Sequence, residues 1–509
     1  VVFRCGVADG TCRPALSHAL KLELHARNVV GTPPYVWFDD HKLLVEGEVV
    51  SADSPHQKGL KKWWAQDGEG HLYDFFGTDE DTKRSPTQLV PDWHEPGLIG
   101  IIDGNIWRIA AEGVATKNLT SAIEGRVTLI ERPQSPESGN IKKLVLKARR
   151  PGRDNYYLLD VASGEISVVP KPSESARLVG FDERGLTFAF ALDDDTGTYV
   201  YLRHQGSGQP GYQTLLQTNQ FLRGIKAGDL KGIGYSGLDG QDLRAWVILP
   251  YGYNEGHRYP TVVWVQAGTV YGDEPLEPRY RLDTINNCSP LNLQLLAAHG
   301  YAVLMPSMPL KPYGEVDEPY MELTKGVLPA VEKLIDMGIA DPRRLGIMGQ
   351  SIGGYSAYGI ITQTTRFRAA VASAGFSDLV SLYGTFDSRL RYSPGVHEDP
   401  FRMWSGETAS MGSPPWNTLE RYIRNSPITY AERVETPLLI IQGDLDYVPM
   451  QQNEEFFTAL YRQRKRAQFV RYWGEDHLLT SPANIRDMWQ RIYAWFDTFL
   501  NVGDHPNSK

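Results

Sequence analysis

At 509 residues the chain exceeds what one ordinary core organises, so two domains are the starting expectation. A net charge of −9 with no basic run argues against nucleic-acid binding, and no apolar stretch approaches the roughly 20 residues that span a bilayer. Apolar content of 41% with 22% charged residues fits a soluble globular protein.

The three cysteines, Cys5, Cys12 and Cys288, are too few for a disulfide framework. Cys5 and Cys12 flank the turn Val7-Ala8-Asp9-Gly10, so they either bridge two hairpin strands in an oxidising compartment or remain buried thiols. The chain opens on Val1-Val2-Phe3-Arg4-Cys5, which reads as the inside of a strand. Its true N-terminus, with any signal peptide, is therefore expected upstream.

The first 230 or so residues repeat a pattern of strand, polar turn, strand. Leu72–Gly77, Ile106–Ala111, Tyr156–Val161 and Tyr199–Arg203 are strand-like, and Ala162-Ser163-Gly164-Glu165 turns one of them into Ile166–Val169. Intervals of roughly 34–50 residues match the blade length of a β-propeller. Too few residues are available for seven blades, so the propeller is small or incomplete; a β-sandwich is the alternative. The expected division is a propeller-like domain over 1–235 and a second domain over 236–509.

In the second half Arg244–Leu249, Thr261–Val265, Tyr301–Met305, Leu345–Met348, Ala369–Ser373, Leu438–Ile441 and Gln468–Trp473 are strand-like, with helical stretches between several of them. That alternation predicts a mostly parallel, doubly wound sheet covered on both faces. The pattern 393–418, rich in Pro, Gly, Trp and Met, reads as an insertion lining a substrate site. A last helix is expected with Ser481 as its N-cap and Pro482 as its first position, because Ile485, Met488, Trp489, Ile492, Trp495, Phe496, Phe499 and Leu500 recur at three and four residues.

Chemistry enters at Gly349-Gln350-Ser351-Ile352-Gly353-Gly354, directly after the apolar run Leu345–Met348. Glycines two residues before and after Ser351 permit a sharp strand-to-helix turn that lifts the serine oxygen beside free N–H groups at the helix start. A serine nucleophile needs a histidine to take its proton and a carboxylate to hold that histidine. Both follow in chain order: Leu438–Ile441 leads to Gly443-Asp444-Leu445-Asp446, and Gln468–Trp473 leads to Gly474-Glu475-Asp476-His477. Spacing from the glycine selects Asp446 as the acid, with Asp444 as runner-up. His477 is the base; His204, His257 and His505 read as ordinary histidines, and His397 stands as an outside alternative. The Ile352 N–H is the first oxyanion donor. The second comes from the loop Gln266–Gly272, through Tyr271 or a backbone amide near Gln266.

With these motifs the second half resembles the prolyl oligopeptidase family of serine peptidases. The resemblance implies a propeller followed by an α/β-hydrolase domain, a peptide substrate, and Ser351, Asp446 and His477 as nucleophile, orienting acid and base. No cofactor or metal is implied. The dipeptidyl peptidases of this family carry a propeller Glu-Glu pair; Asp92-Trp93-His94-Glu95 is a poor match and Glu454-Glu455 lies in the wrong half. The chain looks more like the lasso peptide isopeptidases, with the Phe3–Cys12 opening among the likenesses. Those bacterial enzymes open the ring of a threaded peptide, and the compartment is expected to be bacterial cytoplasm or periplasm. A general oligopeptidase or acylaminoacyl peptidase is the next reading. A small-ester esterase and a non-catalytic binding protein on a degenerate hydrolase are the remaining alternatives.

Overall fold

The computed structural model describes residues 3–5, 12–14, 20–21, 35–37, 43–49, 62–66 and 72–76. It then describes 86–500 apart from 93–95, 111–112, 132–142, 151–152, 183–186, 205–210, 274–283, 287–288, 312–315 and 386–410. Two units emerge, the first ending at Gln220 and the second beginning at Phe221. The boundary expected at 235–236 falls inside the strand Leu230–Ser236, which pairs into the sheet of the second unit.

The first unit is all antiparallel β. Its described residues include three consecutive four-stranded meanders: Leu89–Pro91 to Ala115–Asn118, Arg126–Glu131 to Ile166–Val169, and Arg177–Phe181 to Gln213–Thr218. Within each, every strand pairs with the next in sequence, the connectivity of propeller-like units rather than of two facing sheets. One such sheet cannot bury both faces alone, and successive sheets share cores accordingly. Ile99, Ile101 and Ile106 pack with Val127, Leu144 and Leu146, while Val145, Tyr156 and Leu158 pack with Phe188 and Phe190. Near the start, Phe3–Cys5 pairs with Cys12–Pro14, with Cys5 opposite Cys12 in the register. Cys288, His397 and His505, and most of the insertion 393–418, lie outside the described residues.

The second unit is built on an eight-stranded sheet. Its order is Leu230–Ser236, Asp242–Ile248, Ala302–Pro306, Tyr259–Trp264, Ala340–Gln350, Ala369–Ser373, Leu438–Gly443 and Ala467–Tyr472. The first two pairings are antiparallel and the rest parallel, the arrangement of an α/β-hydrolase domain. Continuous apolar runs explain the central strands: Ala302–Pro306, Ala369–Ser373 and Leu438–Gly443 are buried throughout, as strands covered on both faces must be. One face carries Pro319–Asp336, Ile352–Ile361 and Met450–Arg462; their Leu323, Val327, Tyr358 and Phe456 form a single core with Val263 and Ile347. The other face carries Pro482–Leu500, the expected last helix, through Met488, Trp489, Ile492, Phe496 and Leu500. Each of those side chains contributes about 1.5–3 kcal/mol by leaving water.

Candidate active site

All parallel strands point their C-terminal ends to one edge of the sheet, and loops at that edge collect the chemistry. The strand Ala340–Gln350 runs into Ser351, which is the N-cap of the helix Ile352–Ile361. Ser351 sits at φ 61°, ψ −121°, a backbone conformation that costs a non-glycine residue roughly 1–3 kcal/mol. Main-chain bonds on either side hold it there. Its N–H donates to the Ser373 carbonyl at 2.8 Å, and its own carbonyl accepts from Tyr355 N–H at 3.0 Å. A serine at an N-cap ordinarily folds its oxygen back onto the helix, yet the Ser351 side chain makes no capping bond. The turn is possible only because the flanking residues lack side chains. A Cβ on Gly349 would lie 2.1 Å from the Gly353 carbonyl oxygen, and one on Gly353 would lie 2.3 Å from that of Val265.

The structure brings Asp446 and His477 together. His477 Nδ1 and Asp446 Oδ1 are 2.9 Å apart, and the Asp446 side chain is completely buried while that of His477 retains 17% exposure. Asp446 Oδ1 also accepts from Val448 N–H at 2.8 Å, and its Oδ2 accepts from Gln442 Nε2 at 2.8 Å. Asp444 faces elsewhere: its Oδ1 accepts from the Gly474 N–H at 2.6 Å. Two contacts align the His477 loop itself. Tyr447 lies over the imidazole with ring centroids 4.3 Å apart, and Gln350 Nε2 donates to the His477 carbonyl at 3.2 Å.

Beneath that loop, buried Glu475 accepts from Thr480 N–H at 2.7 Å, Ser481 N–H at 3.1 Å and Asn484 Nδ2 at 2.6 Å. It thereby ties down the two amides just before Pro482–Leu500 and the Asn484 side chain in its first turn, and Ser481 stands directly before the first helical residue, where the N-cap was expected. Burial pushes its carboxyl up, but these hydrogen bonds outweigh it and hold the group below the ordinary glutamate value.

Ile352, as the first helical residue, has no intrahelical acceptor for its N–H. The loop after Tyr259–Trp264 packs against that helical turn, with Gln266 Oε1 2.7 Å from where a Gly353 Cβ would stand. The amides of Ala267, Gly268 and Thr269 are already bonded, to Ser356 Oγ and to the Met308 and Gln266 carbonyls, and that of Gln266 points to Met308 Sδ. The Tyr271 amide donates to Ser307 Oγ at 2.9 Å.

Sequence reading missed Gln442, Tyr447 and Gln350. Gln442 had one signal, a polar residue ending an otherwise apolar strand. His204 meets Thr187 Oγ1 at 3.0 Å on the surface, and His257 packs edge-on against Tyr259. Asp92 is paired with Arg108 at 2.6 Å. Among the described residues, no group of three or more His, Cys, Asp or Glu side chains is placed to hold a metal ion, and no helix is long and apolar enough to cross a membrane.

The sequence and the fold are similar to those of known proteins. Residues 322–503 match the prolyl oligopeptidase family. The chain is 28% identical over 317 residues to the uncharacterized peptidase YuxL of Bacillus subtilis, covering 58% of this chain and 42% of that protein. It is 26% identical over 291 residues to the lasso peptide isopeptidase AtxE2 of Asticcacaulis excentricus, covering 53% of this chain and 37% of the relative. The chain thus spans less than half the length of either. Its fold is similar to that of Porphyromonas gingivalis dipeptidyl peptidase 4, with a TM-score of 0.64 at 16% identity over 98% of this chain and 66% of that one. The matched segment, 322–503, carries Ser351, Asp446 and His477.

Proposed function

We infer that the protein is a serine peptidase that works through an acyl-enzyme, with the all-antiparallel first unit as its propeller-like part and the second unit, from Phe221, as its catalytic domain. The observation that carries this reading is Ser351, held at φ 61° between strand and helix with its hydroxyl uncommitted to capping. Strain of that kind persists where the surroundings impose it, and active sites are where it concentrates. In the proposed reaction Ser351 Oγ attacks the scissile carbonyl carbon and His477 Nε2 takes the hydroxyl proton. Asp446 keeps the Nδ1 tautomer and stabilises the imidazolium. The Ile352 N–H binds the oxyanion; its partner donor is the Tyr271 hydroxyl, the amide of that residue being occupied. Collapse breaks the C–N bond, the leaving amine receives the proton from His477, and water then hydrolyses the Ser351 ester by the reverse proton path.

Within this chemistry the specific activity we favour is lasso peptide isopeptidase. Similarity to a relative of that name supports it. The bond broken would join a peptide's N-terminal amine to an Asp or Glu side chain. The test is to incubate the protein and its Ser351→Ala variant with threaded lasso peptides, linear peptides and acyl esters, and to weigh the products. Gain of one water by the lasso alone, lost in Ser351→Ala, is the expected result. Fragments from linear peptides would replace it with a general oligopeptidase or acylaminoacyl peptidase. Products unaffected by Ser351→Ala would end the serine mechanism altogether.

A further inference from the structure

A line of buried polar side chains runs from the core of the helix that Ser351 caps to the carboxylate that His477 meets. Tyr358, completely buried in Ile352–Ile361, donates its hydroxyl to Asn453 Oδ1. Asn453 Nδ2 donates to Gln442 Oε1 and, at 3.0 Å, to the Gly375 carbonyl. Gln442 Nε2 in turn donates to Asp446 Oδ2 at 2.8 Å and to the Val448 carbonyl at 3.1 Å. Asn453 and Gln442 are both sealed from solvent.

The chemistry of the groups dictates the direction of the whole line. An ionised carboxylate only accepts, so Gln442 must turn its NH₂ to Asp446 and its oxygen to Asn453. Asn453 must then turn its NH₂ to Gln442, leaving its own oxygen to the Tyr358 hydroxyl, whose burial keeps the proton on. Every donor points toward Asp446. Apolar side chains in these places would take these donors from Asp446 Oδ2 and from the Gly375 and Val448 carbonyls. A satisfied line of this kind specifies one orientation for its last member.

We propose that Gln442, backed by Asn453 and Tyr358, is a positioning residue for the reaction: it locks the Asp446 carboxylate so that Oδ1 stays trained on His477 Nδ1. This rests on the reading of Ser351, His477 and Asp446 as the reacting set. Without the Gln442 amide the carboxylate keeps the Val448 N–H on Oδ1 but loses the bond that holds Oδ2, and the imidazole loses a constant partner.

The test uses a fluorophosphonate, which reports the nucleophile without knowledge of the substrate. The Ser351 Oγ–P bond forms, the P–F bond breaks, fluoride leaves, and the hydroxyl proton passes to His477. Gln442→Met, close in volume, is expected to lower the maximal labelling rate about tenfold or more with the probe's apparent affinity within about twofold. Tyr358→Phe, which removes one oxygen and keeps the ring against Phe456, is expected to lower it about threefold. In both, the downfield proton resonance of His477 Nδ1, identified by its loss in His477→Gln, should move upfield and broaden. Parent-like labelling in either folded variant would overturn the proposal, and so would slower labelling with an unmoved resonance, which is the mark of a merely structural role. If Gln442→Met does not fold, Tyr358→Phe decides. Labelling that survives Ser351→Ala would instead overturn the underlying catalytic reading.

Discussion

Gln350 donates its side-chain amide to the main-chain carbonyl of His477, 127 residues further along the chain, at 3.2 Å. The residue before the strained serine therefore holds the loop that carries the imidazole. A neutral hydrogen bond of this kind contributes about 1 kcal/mol. Gln350→Ala should slow fluorophosphonate labelling about fivefold while leaving the unfolding midpoint close to that of the parent. A labelling rate unchanged in the variant would show that the His477 loop keeps its place without that bond.

Asp444 and Asp446 are told apart by their partners. One accepts from a main-chain amide and the other faces His477. Asp446→Asn presents an NH₂ to the ring or forces the wrong tautomer, and should lower labelling about 10³–10⁴-fold. Asp444→Asn keeps an oxygen for the Gly474 amide and should stay within about threefold of the parent. Equal losses in the two would contradict the geometry.

Ser351 holds a backbone conformation that glycine adopts freely. Ser351→Gly should abolish turnover and raise unfolding stability by about 1 kcal/mol, after the greater flexibility of glycine in the unfolded chain is set against the relieved strain. Ser351→Ala should be equally inactive without the gain. Chemical unfolding of both separates the two effects.

Glu475 ties stability to acid. Burial raises its carboxyl, but the Thr480 and Ser481 amides and Asn484 lower it further, so the folded chain holds that proton less readily than the unfolded chain. Its contribution is complete above the ordinary value of 4.5 and drains away as pH falls through the folded value. Urea midpoints at neutral pH and at about pH 3.5 should differ more for the parent than for Glu475→Gln. Parallel losses would assign acid sensitivity to other carboxylates.

The sheet was legible because its central strands are apolar without interruption, as at Ala369–Ser373 and Leu438–Ile441. The strand Leu230–Ser236 was not. It lies at the edge, holds Gly232 and Gly234, and buries only Ile233, so it carries neither a run nor a clean alternation. At the site, motif order brought out Ser351, Asp446 and His477. The polar residues behind them are another matter. Asn453 sits in an amphipathic helix where a surface position and a buried polar one look alike from sequence, and only tertiary packing turns it toward Gln442. The hold of Glu475 on Thr480, Ser481 and Asn484 was hidden for a similar reason, since the acceptor comes from the turn before the helix.

That anchor has a consequence for how the protein would fail. The imidazole rides on a short turn whose anchor, Glu475, holds Thr480 and the Asn484 side chain in the first turn of the closing helix, so any loosening of that helix tugs on the imidazole before the sheet notices. Under gentle heating, inactivation should run ahead of melting, and a spectroscopic curve taken alone would overstate the range in which the molecule still works.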